Sequence, residues 1–364
     1  MDTTIRASML FLAFIALTWG LHQTAHIFAP FALAVFIWLI IDAFARCLDG
    51  LSSKIPYRLA LSVAVLTVVA GLVGIVVIIA DTAQEVSQEA PKYQARLSEI
   101  FSWISHNPIF TKFLGEDITF IELSNKFELN QKLQAAMAGF AATMQSVASN
   151  FALISLYVVF LFAAQSSFPK KMDDLFPDIT RRAQASKVGV RIRHSIEKYL
   201  GVQTLISLIQ TVLSYAIMAS LGLDNALFWA LVIFILNYIP IIGGLAAVAL
   251  PVMFAMVQFD SAPMIGLLAG LLFGVQFIIG NTVQPKMMGD SMNLSALVVV
   301  LSLTLWGALL GGVGAFLSAP LTVIIMIILA QFPTTRWLAV LLSADGQPDM
   351  DPEDKKKIAA QPSL

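Results

Sequence analysis

Residues 225–251 read NALFWALVIFILNYIPIIGGLAAVALP, and residues 293–320 read NLSALVVVLSLTLWGALLGGVGAFLSAP. Each stretch begins on an asparagine, Asn225 or Asn293, that lies 18 residues before a glycine pair, Gly243-Gly244 or Gly311-Gly312. Small residues follow each pair, then Pro251 or Pro320. Gly222 and Asp224 precede the first copy, Gly289 and Asp290 the second, and the asparagines are 68 residues apart. Glycine pairs and prolines break helices, and at membrane depth such breaks survive only where protein or a water-filled cavity satisfies the freed backbone. Two apolar segments interrupted at corresponding points are the mark of a repeat-built transport core.

Working outward, the whole chain is apolar. It has 364 residues, 58% hydrophobic and 12% charged, with a mean hydropathy of +0.82. Soluble domains carry about 25% charged residues. No Asp, Glu, Lys or Arg occurs in 7–41, 59–80, 133–169, 199–223, 225–259, 261–285 or 291–335. About 20 apolar residues cross the hydrocarbon as a helix. The expected class is an all-α polytopic membrane protein with about eight transmembrane helices. The runs are continuously apolar rather than alternating, which excludes an outer-membrane barrel. A net charge of −1 leaves no electrostatic footprint for a nucleic acid. Cys47 is the single cysteine, so no disulfide forms within the chain. No cleavable signal peptide is read at the start. No Walker loop, HExxH, GxSxG or Cys/His cluster occurs, so neither an enzyme nor a cofactor is expected. His22 and His26 share a helix face, but two ligands without a carboxylate make no metal site.

Charge places the segments. Residues 1–81 hold three spans, near 6–25, 29–47 and 57–81, with the first two split by His22–His26 and Pro30. Residues 82–132 form a polar, acidic segment in which Thr119-x-x-Glu122 reads as a capping box. Residues 133–165 carry the fourth span. The segment 166–198 is basic, with Lys170, Lys171, Arg181, Arg182, Lys187, Arg191, Arg193 and Lys198. Residues 199–333 would be the transport core, with repeats at 225–259 and 291–333, and 334–364 a tail. Short cytoplasmic loops collect Lys and Arg, so both termini are expected in the cytoplasm and 82–132 outside. Val188, Ile192, Ile196 and Leu200 recur every four residues, which suggests a helix lying on anionic lipid. Asp42, Asp224 and Asp260 lie at run ends and read as interfacial.

The candidate site is uncharged. Gln203, Gln210, Asn237, Gln276 and Asn281 lie deep in apolar runs. Amides supply donors and acceptors for a small hydroxylated solute without fixed charge. In NTVQPKMMGD, residues 281–290, Pro285 should stop a helix and free backbone carbonyls near Asn281. Thr282 and Gln284 add ligand groups there. Pro240, Gly243, Gly244, Pro285, Gly289, Gly311, Gly312, Gly314 and Pro320 are the expected hinge or gate positions. Asp224 is the best candidate for coupling to a monovalent cation. Charge counting leaves 225–259 and 291–333 open between full crossings and re-entrant hairpins. Gly266, Gly270 and Gly274, and Gly307, Gly311, Ala315 and Ala319, form small stripes if their helices are continuous.

The stretch 281–322, together with Asn237-x-x-Pro240-x-x-Gly243, resembles the autoinducer-2 exporter family of bacterial membrane proteins. The layout of spans agrees along nearly the whole chain. The resemblance implies an inner-membrane secondary transporter that exports a small polar signal such as autoinducer-2 by alternating access. Family members are also associated with Na⁺(Li⁺)/H⁺ exchange, so an antiporter is the alternative, and an oligomeric pore a further one. The partners implied are a small polar solute or monovalent cation, the lipid bilayer, and further copies of the chain, a pentamer in this family. The positions carried over are Asn237, Pro240, Gly243, Asn281, Pro285, Gly289, Gly311, Gly314 and Pro320. Relatives often place Glu before the proline of the second element. Gln284 stands there in this chain, which removes proton coupling through that side chain.

Overall fold

In lipid a backbone must close its own hydrogen bonds, and long apolar runs do so as helices. The computed structural model describes residues 3–51, 56–105, 150–288 and 293–348. The Thr119–Glu122 capping box, Gly289, Asp290 and the end of the tail lie outside the described residues.

The first half comprises α1 (Thr3–Gln23), α2 (Ala25–Leu51) and α3 (Tyr57–Ser105), then α4 (Asn150–Gln165) and α5 (Phe168–Leu175). The first break falls at Thr24 rather than at Pro30, which sits within α2. Thr24 Oγ1 donates to the Gly20 carbonyl at 2.6 Å, a local bond that competes with helix continuation. Helix α3 runs 49 residues without interruption, about 73 Å at 1.5 Å per residue. It therefore extends beyond the apolar window that ends at residue 80. Helices α2, α3 and α4 share a core of Ala34, Ile41, Ala45, Ala64 and Val158.

The second half comprises α6 (Ile179–Ser220), α7 (Ala226–Leu236), α8 (Ile242–Gln258), α9 (Ala262–Ile278), a π-helical turn (Ile279–Val283), α10 (Gln284–Met288), α11 (Ala296–Ala330) and α12 (Arg336–Leu342). Helix α6 is one 42-residue element and passes through the charge boundary at 198/199 unbroken. Its Ile196 and Leu200 are buried against Phe36 and Leu39 of α2, so that apolar face looks into the protein rather than onto lipid.

Helix α7 has 11 residues and α8 has 17, about 16 and 25 Å long. Neither matches the ~30 Å hydrocarbon alone. They pack on each other through the 237–241 turn, as a hairpin. Helix α11 also doubles back. Its Gly311 has φ 65° and ψ −145°, a region essentially restricted to glycine. Trp306 Nε1 donates to Thr322 Oγ1 at 3.1 Å. A Cβ on Gly307 would lie 3.8 Å from Ala315 Cβ. In a straight helix 306 and 322 would be about 24 Å apart. The stripe expected from Gly307 to Ala319 is therefore broken at Gly311. Among the described residues, five helices are long and apolar enough to cross a membrane, or six if the bent α4–α5 pair is one span. The chain is an all-α polytopic membrane protein.

The two hairpins share positive-φ landmarks. Asn225 (φ 55°) and Asn293 (φ 47°) open them, and Ile241 (φ 65°) and Gly311 (φ 65°) turn them. Pro251 and Pro320 lie inside the returning arms.

Candidate functional site

Helix α6 supplies the spine of the site. Gln203, Ser207, Gln210 and Ser214 are all buried, and their spacing of four, three and four residues puts them on one face. Gln203 Nε2 donates to the Asn237 carbonyl at 2.7 Å. Asn237 Nδ2 donates to Ser207 Oγ at 3.0 Å. Gln210 Nε2 donates to Gln276 Oε1 on α9. Gln210 is 1% exposed, and its Oε1 has no partner among the described residues. Thr204 Oγ1 donates to the Leu200 carbonyl at 2.6 Å and lies 2.7 Å from Tyr238 OH, so the phenol is the donor of that pair. Each such interhelical bond is worth about 0.6 kcal/mol in a membrane. The ladder thus joins α6, the first hairpin tip and α9 with no formal charge.

The tips are shaped by close backbone approach. A Cβ on Gly243 would overlap the Leu236 carbonyl oxygen, and one on Gly314 the Trp306 carbonyl oxygen. A Cβ on Gly244 would overlap the Gln276 side-chain amide nitrogen, and one on Gly280 would lie 3.5 Å from the same nitrogen. The Ile242 N–H donates to the Pro240 carbonyl at 2.7 Å across Ile241 (φ 65°, ψ −55°), a γ-turn of the strained hand. Gly312 meets no neighbour, and Pro320 is buried in the returning arm of α11.

The tips meet. Tyr238 of the first hairpin stacks on Phe316 of the second, with ring centroids 4.7 Å apart. Their bases lie at opposite ends of α6. The first base is closed by Gln258, whose Nε2 donates to the Gly222 carbonyl (2.9 Å) and whose Oε1 accepts from the Asp224 N–H (2.8 Å), beyond the α6 C-terminus. The second base is tied to the tail. Asn293 Nδ2 donates to the Gln347 carbonyl at 3.1 Å, and Arg191 of α6 donates to the Pro348 carbonyl at 2.7 Å. The tips are fastened between, at Gln203, Thr204 and Ser207.

Sequence reading and structure agree on some of these residues and part on others. The fold brings Gln203, Asn237 and Gln276 into the ladder with Pro240, Gly243 and Gly244 around its tip. Asn281 is exposed, with Nδ2 donating back to the Phe277 carbonyl at 3.0 Å. Among the described residues, Gln284 Nε2 reaches Met288 Sδ at 3.9 Å. Pro285 does not stop its helix. The Gln284 N–H bonds the Ile279 carbonyl five residues back, and this wider turn lets helical backbone continue through Met288. Asp224 is exposed at the hairpin base, about one α7 length from the tips. Sequence reasoning missed Ser207, Thr204 and Tyr238; the four-three-four polar spacing on α6 was the signal for the first.

A second polar cluster was also missed. Asp42, expected at the membrane–water interface from its place at a run end, is 1% exposed, covered by neighbouring side chains. It accepts from Tyr57 OH and Arg193 and pairs with Arg46 at 3.0 Å. Glu197 accepts from Arg46 and from Arg193 Nε, the latter at 2.7 Å. Arg193 also stands 5.9 Å from the Trp38 ring centroid. The cluster joins α2 to α6. Among the described residues, no group of three or more His, Cys, Asp or Glu is placed to hold a metal ion.

Comparison with known proteins follows the same span. The family model described as AI-2E family transporter matches residues 9–334. The AI-2 transport protein TqsA of Escherichia coli K12 is 29% identical over 89% of this chain and 91% of its own length. A sodium-lithium/proton antiporter of Halobacillus andaensis is 26% identical over 70% of this chain and 74% of its own.

Proposed function

Because the chain belongs to the AI-2E transporter family, we propose that it is a secondary transporter that exports a small, uncharged, hydroxylated signal such as autoinducer-2. It would do so across the bacterial inner membrane, with both termini in the cytoplasm. The observation that carries this reading is the uncharged ladder of Gln203, Ser207, Gln210, Asn237 and Gln276 at the meeting point of the hairpin tips. Amides and hydroxyls can replace the hydrogen bonds that a polyol makes with water, and they neither demand nor repel a counter-ion. The partnerless Gln210 Oε1 offers an acceptor to a donor hydroxyl. The name of the Escherichia coli relative supports the choice of signal.

With α6 as a span, the hairpins enter from opposite faces as inverted re-entrant elements. Each tip then seals one side, and alternate withdrawal at Ile241 and Gly311 would offer the ladder to one face at a time. Asn281, Gln284 and Pro285 would line the cytoplasmic approach.

The test loads labelled autoinducer-2 into sealed vesicles and follows efflux. Saturable efflux is expected from wild type and from Asp224→Asn, falling at least about tenfold for Asn237→Ala, about 1.4 kcal/mol. Efflux that ignores Asn237 would refute the site. A second reading, a Na⁺(Li⁺)/H⁺ antiporter, is favoured by the name of the Halobacillus relative and would use Asp224. A protein-dependent pH jump on a Na⁺ or Li⁺ pulse, abolished by Asp224→Asn, would establish it instead.

A further inference from the structure

Helix α5, FPKKMDDL, places Phe168, Met172 and Leu175 on one face at four- and three-residue spacing. Phe168 is 63% exposed, Leu175 70%, and Ile179 just beyond the turn 80%. The segment is nonetheless firmly built. Asp178 caps α6 by accepting from the Thr180 and Arg181 N–H groups at 2.7 and 3.3 Å. Arg182 staples the turn, donating to the Phe176 carbonyl at 3.0 Å and the Asp173 carbonyl at 3.1 Å, and pairing with the Asp173 carboxylate at 3.2 Å. An apolar stripe held this rigidly is a surface rather than a loose loop.

Its setting selects what covers it. Helix α4 leads into it with Leu156, Val159 and Phe160 exposed, as on a lipid-facing span. A two-residue break then bends the chain by 65°. Helix α5 carries Lys170, Lys171, Asp173 and Asp174 in eight residues, too many charges to continue the span through hydrocarbon. Lys171 flanks the apolar stripe, while Lys170, Asp173 and Asp174 turn away from it. Arg181 stands close by, with its side chain exposed.

We propose that α5 and Ile179 form an interfacial anchor that lies in the headgroup layer of an anionic bilayer. Phe168, Met172, Leu175 and Ile179 enter the acyl boundary, and Lys171 and Arg181 meet lipid phosphates. The lipid-facing amphipathic element is thus α5, whereas the Ile196–Leu200 face of α6 is consumed by packing on α2. The anchor would hold the α6 N-terminus, and with it the Arg191–Pro348 tie, at a set depth.

The exposed single cysteine, Cys47, makes the test direct. In a Cys47→Ser background, Phe168→Cys, Leu175→Cys and Lys170→Cys each receive an environment-sensitive fluorophore. The full-length protein is then placed in nanodiscs containing lipids brominated near the glycerol end of the chain. Labels at 168 and 175 should be quenched at least about twofold more than the label at 170. Lys171→Glu should reduce quenching at 175 in anionic discs but not in zwitterionic ones. Equal quenching at 170 and 175 would overturn the orientation, and an unchanged response to Lys171→Glu would overturn the role of headgroup charge. Protection of 175 from the brominated lipid, with Leu175→Cys cross-linking between copies, would overturn the proposal by showing that a second copy covers this face.

Discussion

Ile241 holds a backbone that isoleucine avoids. The γ-turn it occupies is strained even for an unbranched residue, and a β-branched side chain at positive φ is an outlier. The cost is borne because the Ile242 N–H and Pro240 carbonyl must pair and Gly243 must then pass against the Leu236 carbonyl. Replacing Ile241 by glycine should relieve the strain and raise stability by about 1 kcal/mol, seen as a higher melting temperature in detergent. Gly243→Ala and Gly314→Ala should do the reverse. Each methyl would meet backbone oxygen, which cannot rotate away, so a loss of about 2 kcal/mol or more is expected. Gly266→Ala meets nothing within 4 Å and should be neutral in the same melts. The sequence marked Gly243 as a hinge and Gly266 as part of a small stripe, but not that Gly243 alone of the two lies against backbone. Only the path of the neighbouring chain separates them.

At the scale of elements, the reversal at Gly311 is the decisive feature. A disulfide needs Cβ atoms about 3.5–4.5 Å apart, and positions 307 and 315 meet that. In a Cys47→Ser background, Gly307→Cys with Ala315→Cys should therefore oxidise to an intrachain bond, detected by protection from a maleimide. A straight helix would hold these positions about 12 Å apart and leave both thiols reactive. Although the first reversal falls at Ile241, ahead of its glycine pair, interruptions near the glycine pairs were legible in the sequence. Which interruption reverses the chain was not, because the Trp306–Thr322 bond that closes the second hairpin joins residues on opposite arms. Pro285 shows the converse. A proline in a helical pattern reads as a stop, yet one π-helical turn absorbs it, a choice made by backbone geometry that composition does not record.

For the whole molecule, the Asp42 cluster is the tie between the first half and the core. Arg193→Met would leave Asp42 buried with fewer donors, and breaking a buried pair costs about 3 kcal/mol or more. Retained Arg46 and Tyr57 contacts should keep the loss near the low end, with Arg193→Lys partly restoring the melting temperature. Because Arg193 makes none of the ladder's hydrogen bonds, the affinity for transported solute should change less than stability does.

What the sequence determined by itself was the class and the material of the site. Charge-free windows of span length leave no other fold open in lipid, and amides placed within them mark where polarity is needed. The paired asparagines, glycines and prolines are legible in the sequence as landmarks common to both hairpins. Tertiary structure alone decided that the hairpin tips meet at Tyr238 and Phe316 from opposite ends of α6, and that Asp42 is enclosed by Tyr57, Arg46 and Arg193. It also decided that the apolar stripe of α5 is left uncovered while the Ile196–Leu200 face of α6 is packed on α2. The physical reason is common to all three. Hydropathy and periodicity are properties of one segment, whereas burial and hydrogen-bond partnership belong to pairs of segments brought together by the fold.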